Sequence, residues 1–197
     1  NDYLHKVQKR CNEVGALLIL DEIQSGIGRT GTFFGFENYN CIPDIIISGK
    51  GLGGGMPIGA FISSNEIMSS LQEKPKLGHI TTFGGHPIIA AASLATIKEI
   101  VNSNLMADTI EKEKLIRKIL VHPEIAEIRG KGLMLALIFK DEEIASKVIL
   151  NCLENGLILF WLLFEGKAVR ITPPLTISSI EIETGCKVIL DVLNELK

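Results

Sequence analysis

The sequence has little that would commit it to a special environment. Its four cysteines, Cys11, Cys41, Cys152 and Cys186, stand alone, with no CxxC pair and no Cys/His cluster. That argues against a disulfide framework and a zinc site, so no metal is expected, and a reducing cytoplasm is the expected compartment. No charge of one sign prevails. The net charge is −3, and the lysines and arginines are scattered apart from the mixed-sign stretch 111-EKEKLIRK-118, which reads as the solvated face of a helix. Neither nucleic acid nor an anionic membrane is expected as a partner. The longest apolar run, 156-GLILFWLLF-164, is too short to cross a bilayer, and no secretory signal opens the chain. The first residue is not Met, and 1-NDYLHKVQKRCNEVG-15 reads as an amphipathic helix already in progress. The chain is therefore expected to be the C-terminal part of something longer.

What is present is the balance of a globular protein: 197 residues, 46% apolar and 22% charged, enough to bury a core in one large or two small domains. After the first helix, 16-ALLILDE-22 is a continuous apolar run ending in acid, the pattern of a buried parallel strand. A glycine-rich loop, 25-SGIGRTGTFFGFENYN-40, leads to a second run, 42-IPDIIIS-48, and a third strand is expected at 57-PIGAFISS-64. The polar stretch 65–87 should hold a short helix and then a loop. An alanine-rich helix is expected from Pro87 to about Asn102, with the proline in its first turn. A long exposed helix should follow at about 105–120. The remainder reads as strand 133–140, helix 142–156 closed by Gly156, strand 157–164, strand 167–174 and helix 178–197. The domain boundary falls near Asn104, separating residues 1–104 from an α+β part, 105–197.

One stretch, 47-ISGKGLGGGMPIGAF-61, sets Lys50 among close glycines directly after an apolar run. A phosphate loop would need GxxxxGK followed by Ser or Thr, and both ends of that pattern fail here. A dinucleotide fingerprint, GxGxxG, is spelled by residues 49–54, yet it should open a helix. Gly55, Pro57 and Gly59 are poor helix material. A plain glycine-rich turn with an incidental lysine is the bland alternative. A reactive lysine is the fourth reading. An amine can form a Schiff base with a carbonyl, and glycines let a flat ligand approach closely. A pyridoxal cofactor also needs an acid facing its ring nitrogen. Asp21 ends an apolar strand and Lys50 follows the next one at the same edge, where such sheets bind ligands. The commoner fate of an acid there is to cap a loop or helix.

The segments 19-ILDEIQSGIGRTG-31, 43-PDIIISGKGLGGGMPIGA-60, 81-TTFGGHP-87, 129-RGKGLML-135 and 169-VRITPPLTIS-178 resemble, in this order, the class III pyridoxal-phosphate aminotransferases. That family includes the acetylornithine, ornithine and 4-aminobutyrate enzymes. The resemblance implies an α/β fold. Residues 1–104 would be the C-terminal part of a fold-type I large domain, with a mainly parallel sheet and flanking helices, followed by a small α+β domain.

It also implies roles for single residues. Lys50 would be the Schiff-base lysine, whose freed amine then moves the proton between the substrate Cα and the cofactor. Asp21 would pair with the pyridinium nitrogen of pyridoxal 5′-phosphate, and Gln24 would hydrogen-bond its phenolic oxygen. Thr82 would hold the cofactor phosphate from the neighbouring subunit of a homodimer, with Thr81 one register step away. Arg170 would fork the substrate α-carboxylate. Arg29 and Arg129 are expected to structure loops, and His86 to be structural. The apolar segment 157–167, with Phe160 and Trp161, departs from familiar relatives and is expected to pack the small domain's core. A substrate-pocket role for Trp161 is the weaker reading. The family's glycine-rich phosphate loop and ring-stacking aromatic have no counterpart here, so this polypeptide alone is expected to be inactive. The activity implied is transfer of an amino group from an amino acid, including ω-amino donors such as ornithine or acetylornithine, to a 2-oxo acid. An aminomutase or racemase would share all five motifs. A nucleotide-binding module built on GKGLGG and a fragment that only dimerises belong to other classes.

Overall fold

The computed structural model describes residues 2–72, 75, 76 and 78–196. The chain divides into two compact units, Asn1–Gly28 with Thr32–Asn104, and Arg29–Gly31 with Leu105–Lys197.

The first unit opens with helix α1, Tyr3–Val14, which ends where Gly15 takes a left-handed conformation at φ 69°. A three-stranded sheet follows, with β1 at Ile19–Asp21, β2 at Ile45–Gly49 and β3 at Gly59–Ser63, in the order β1-β2-β3. Asp44 pins the start of the first pair. Its carboxylate accepts from the Leu18 amide at 2.7 Å, and the Leu18 carbonyl accepts from Asp44 and Ile45 at 2.9 and 3.2 Å. From that anchor β1 and β2 run parallel, with Ile19 opposite Ile45 and Asp21 opposite Ile47. Strand β3 runs antiparallel to β2, pairing Ile47 with Phe61 and Gly49 with Gly59. The sheet is therefore mixed, where the resemblance had implied a mainly parallel one. The physical reason is the short link. Residues 50–58 cannot make the crossover of about a dozen residues that a parallel return needs.

Helix α2, Asn65–Ser69, is capped by the Ser64 hydroxyl, which accepts from the Ile67 amide at 3.3 Å. The loop expected after it falls partly on residues 73, 74 and 77, which lie outside the described residues. Helix α3, Pro87–Asn102, begins on its proline, whose missing N–H costs nothing in a first turn.

The second unit contains α4 (Leu105–Ile119), β4 (Ile125–Lys131), β5 (Met134–Phe139), α5 (Glu142–Glu154), β6 (Phe160–Leu162), β7 (Glu165–Ile171) and α6 (Ser179–Glu195). Its sheet is antiparallel throughout, in the order β4-β5-β7-β6. Strand β4 went unread in the sequence because 125-IAEIRGK-131 has no clean alternation of apolar and polar residues. Strand β5 alternates well. Leu135, Leu137 and Phe139 are buried against Ile116, Val148, Val169 and Leu193, while Met134, Ala136 and Ile138 on the other face are only half-buried. Each such side chain taken fully out of water stabilises by about 1.5–3 kcal/mol.

The helices carry their own stop and start signals. Asp141 accepts from the Ile144 amide at 2.8 Å at the start of α5, and Gly156 at φ 81° follows its end. Ser178 and Glu181 form a reciprocal capping box at the start of α6. One expectation is overturned here. The segment 157–164 does not fill the core, because β6 is a short edge strand. Leu157 and Leu159 pack against the core, whereas Phe160, Leu163 and Phe164 are 60, 84 and 99% exposed. Trp161 is also exposed, and its indole N–H donates to Ser146 Oγ at 3.3 Å.

Candidate functional site

The parallel pairing of β1 and β2 brings their carboxyl ends to one edge, and both proposed reactive groups sit there. Asp21 is the last residue of β1, exposed, with Oδ1 accepting from the Ile23 amide at 2.9 Å. Lys50 is exposed in the first turn after β2, a 3-10 turn over Lys50–Gly53. A Cβ on Gly49 would stand 3.5 Å from Ile23 Cγ2, in ordinary contact, and 3.2 Å from the Ile58 carbonyl, a tight one, so the end of β2 lies close against the segment that follows Asp21. Lys50 itself has φ 41°, a left-handed backbone that non-glycine residues rarely adopt and that clusters at functional sites. Gly54 explains one glycine of the run. At φ 57° its Cβ would overlap the Thr96 hydroxyl of α3, so only glycine lets the loop lie on that helix.

The loop after Asp21 is held by a residue that motif reading passed over. Glu22 is 3% exposed, and its carboxylate accepts from Ser25 Oγ at 2.5 Å, the Gly35 amide at 2.9 Å and the Phe36 amide at 2.8 Å. Strand alternation puts Asp21 and Glu22 on opposite faces, so one carboxylate faces solvent and the other closes the loop. That alternation is legible in the sequence, since an inward-facing acid requires donors. Gln24 is half-buried within this closed segment. Ile27, buried at 4% exposure, has φ 57°, and a Cβ on Gly51 would lie 3.5 Å from its Cβ. A strained, β-branched residue of the Asp21 loop thus packs against the Lys50 loop. No sequence signal announces it, because strain of this kind is imposed by tertiary packing.

The face of the sheet that carries Asp21 is open. A groove of about 700 Å³ runs along it, lined by Ile19, Ile47, Gly59, Phe61, His79 and Thr81. Thr81 brings the TTFGGHP loop to that groove. Thr82, exposed, begins the turn 82–85, in which the Gly84 amide donates to the Thr81 carbonyl at 3.3 Å. A Cβ on Gly84 would sit 2.6 Å from the Thr81 hydroxyl, so a side chain there would force that hydroxyl to move. His86 precedes α3 without capping it by its side chain, and its buried Nδ1 has no partner among the described residues.

Arg170 belongs to the second unit. It lies on β7 opposite Ala136 on one side and Phe160 on the other, half-buried, and its buried Nε has no acceptor among the described residues. Arg29 ties its own segment by donating from Nη1 to the Leu133 carbonyl at 3.3 Å and to the Pro173 carbonyl, and burial pushes its guanidinium below the ordinary range. Arg129 is not in a loop. It is exposed on β4 and ion-paired with Glu127 at 2.7 Å.

These residues suit a phosphorylated aldehyde cofactor on the chemistry of the donor set. A primary amine and a carboxylate share one strand edge, glycines surround the amine, and hydroxyls stand on a loop bordering the same sheet face. Among the described residues no group of His, Cys, Asp and Glu could hold a metal ion, and no helix is long and apolar enough to cross a membrane.

Comparison with known proteins agrees with the family resemblance. A family model described as aminotransferase class-III matches residues 1–193. The chain is 42% identical to a putrescine aminotransferase of Pectobacterium atrosepticum over 99% of its length, covering 43% of that protein. It is 39% identical to an acetylornithine aminotransferase of Caldanaerobacter subterraneus over 100% of its length, covering 49% of that protein. Among solved structures, a Bacillus anthracis aminotransferase superposes with a TM-score of 0.89 at 33% identity, over 99% of this chain and 48% of that one. An ornithine aminotransferase of Plasmodium yoelii gives 0.86 at 30% identity, over 98% of this chain and 52% of that one. The chain spans about half the length of the curated relatives it matches.

Proposed function

The chain belongs to the class III aminotransferase family, and on that premise we propose that the full-length protein moves an amino group from an amino acid to a 2-oxo acid using pyridoxal 5′-phosphate. The observation that carries this reading is the shared edge of β1 and β2, with the Asp21 carboxylate and the Lys50 amine at adjacent strand ends. When bound, the cofactor supplies an electron sink that stabilises negative charge at the substrate Cα. The chain's own residues do the rest. Lys50 anchors the cofactor through its amine and, once released, takes and returns the Cα proton as general acid–base. Asp21 holds a proton on the ring nitrogen by offering it a fixed negative charge, and Gln24 orients the ring through its phenolic oxygen. Thr82 binds the phosphate by hydroxyl and backbone donors without setting a competing cation beside the lysine. Arg170 forks the substrate carboxylate, a geometry that lysine cannot reproduce.

We assign residues 1–104 to the end of the cofactor-binding large domain and residues 105–197 to the small domain. Thr82 is assigned to the neighbouring subunit's site, which makes a homodimer with composite sites the working form. The names of the relatives favour an amino acid with a distal amine as donor, ornithine and acetylornithine among them. The cytoplasm is the assigned compartment. The test is Lys50→Ala in the full-length protein. Transamination should fall to background, and borohydride should no longer fix the cofactor to the chain. Normal turnover, or labelling of another lysine, would remove Lys50 from its role.

A further inference from the structure

Cys11 and Cys41 stand 30 residues apart in the chain (41 − 11), and nothing in their spacing joins them. The fold of the first unit does. Gln8 of α1 donates from Nε2 to the Ile42 carbonyl at 2.6 Å. Cys11 lies three residues further along the same helix, where side chains are neighbours at about 5–6 Å between Cβ atoms. Cys41 precedes Ile42, at the roughly 3.8 Å that separates successive Cα atoms. The hydrogen bond therefore lays the two cysteine-bearing segments side by side. The thiols also sense each other, since burial raises the Cys41 thiol and the nearby Cys11 raises it further. A disulfide needs Cα atoms about 4.4–6.8 Å apart, which is the scale of such a contact.

The two cysteines differ in what can reach them. Cys11 is half-exposed, whereas Cys41 is 3% exposed. A small oxidant meets the first and is screened from the second, the division of roles that stepwise oxidation of a dithiol needs. Their place in the fold is equally specific. Cys11 lies ahead of β1 and Cys41 ahead of β2, beyond the Leu18–Asp44 bonds at which the two strands begin to pair. Asp21 and Lys50 stand at the other ends of those parallel strands. Helix α1 itself contains no buried residue, so a covalent link here would fasten an element that packing alone holds weakly.

We propose that Cys11 and Cys41 are a reversible, peroxide-responsive dithiol whose disulfide fastens α1 to the segment leading into β2. The Cys11 thiolate attacks one oxygen of hydrogen peroxide, the O–O bond breaks, and a sulfenic acid and hydroxide result. The Cys41 sulfur then attacks the Cys11 sulfur. The S–S bond forms, the S–O bond breaks, and the departing hydroxide takes the Cys41 proton as water. Two thiols and one peroxide thus give one disulfide and two waters, with two electrons passing from sulfur to oxygen. A dithiol reductant reverses the bond by exchange. Transient disulfides of this kind are the ones found where thiols are otherwise kept reduced. The link closes the entry end of the strand pair and leaves the Asp21–Lys50 edge open.

The test is to expose the native full-length, cofactor-loaded protein to hydrogen peroxide, block free thiols, denature it and digest it with trypsin. Cleavage after Arg10, Arg29 and Lys50 puts Cys11 in peptide 11–29 and Cys41 in peptide 30–50. Mass spectrometry should find these two peptides linked, and dithiothreitol should part them. The unfolding midpoint of the oxidised protein should rise by about 3 °C or more, as closure of a loop of this length implies, while turnover stays within about twofold. Cys11→Ser should abolish both the linked peptide and the rise in midpoint. Recovery of Cys11 as sulfinic or sulfonic acid, or joined to a second molecule, with Cys41 still a thiol would overturn the proposal. So would a link that leaves the midpoint unmoved, a rise that survives Cys11→Ser, or turnover that falls as the link forms.

Discussion

The backbone amide of Glu22 donates to the Ile47 carbonyl at 2.8 Å, one step beyond the register pair Asp21–Ile47 and three residues before Lys50. That single bond extends the parallel pairing past the end of β1, so the loop carrying Gln24 departs from a fixed point. From the same residue the side chain turns inward to close the loop over 25–36. Glu22 therefore links the strand register to the placement of Asp21 without facing the reacting groups.

Replacing Glu22 with Ala should leave the Gly35 and Phe36 amides without their acceptor. A buried carboxylate with three donors makes charge-assisted bonds, and losing them should destabilise the full-length protein by about 2–4 kcal/mol. Glu22→Gln keeps one acceptor oxygen and should recover part of that loss. Denaturant unfolding measures both, and an Ala variant within about 0.5 kcal/mol of the parent would show that the loop is held by other contacts.

Asp21→Asn should fold normally, because the exposed side chain makes only a local bond to the Ile23 amide. Its effect belongs to the chemistry, since a neutral amide cannot hold the ring nitrogen charged. Stopped-flow measurement of the first half-reaction should show Cα deprotonation slowed by about a hundredfold or more, the range in which a lost charge partner acts. An unchanged rate with cofactor bound would take Asp21 out of the site.

The composite site is open to complementation. Mixing full-length Lys50→Ala subunits with Thr82→Ala subunits should restore one intact site per heterodimer if Thr82 acts across the interface. If it acts within its own subunit, neither site in that heterodimer is intact and no activity returns. A fully active monomer in sedimentation would contradict the assignment outright.

Cys152 and Cys186 are buried, and burial raises each thiol from its ordinary value of 9.0 to about 11. The folded state therefore favours the neutral thiol. The stability this contributes is fully present below about pH 9 and is lost as the pH rises through about 11. A thiol-reactive probe at pH 8 should modify the half-exposed Cys11 quickly and these two only on unfolding. Native-state labelling of either at the rate of Cys11 would show that the second unit opens locally.

Sequence alone determined the elements with strong local signals. The acid at the end of an apolar run, the proline opening α3, the glycine closing α5 and the Ser-x-x-Glu box of α6 act through contacts within a few residues, so their spacing specifies the outcome. The family was legible too, in the order of five short motifs along the chain. Tertiary structure decided what depends on partners distant in the chain. It turned β3 antiparallel because the link from β2 is short, and it made 157–164 an exposed edge because β7, not the core, receives β6. It gave Glu22 its donors from residues 35 and 36 and forced Ile27 and Lys50 into left-handed backbone. None of these has a local signature, because burial and strain are properties of how segments meet rather than of any one segment.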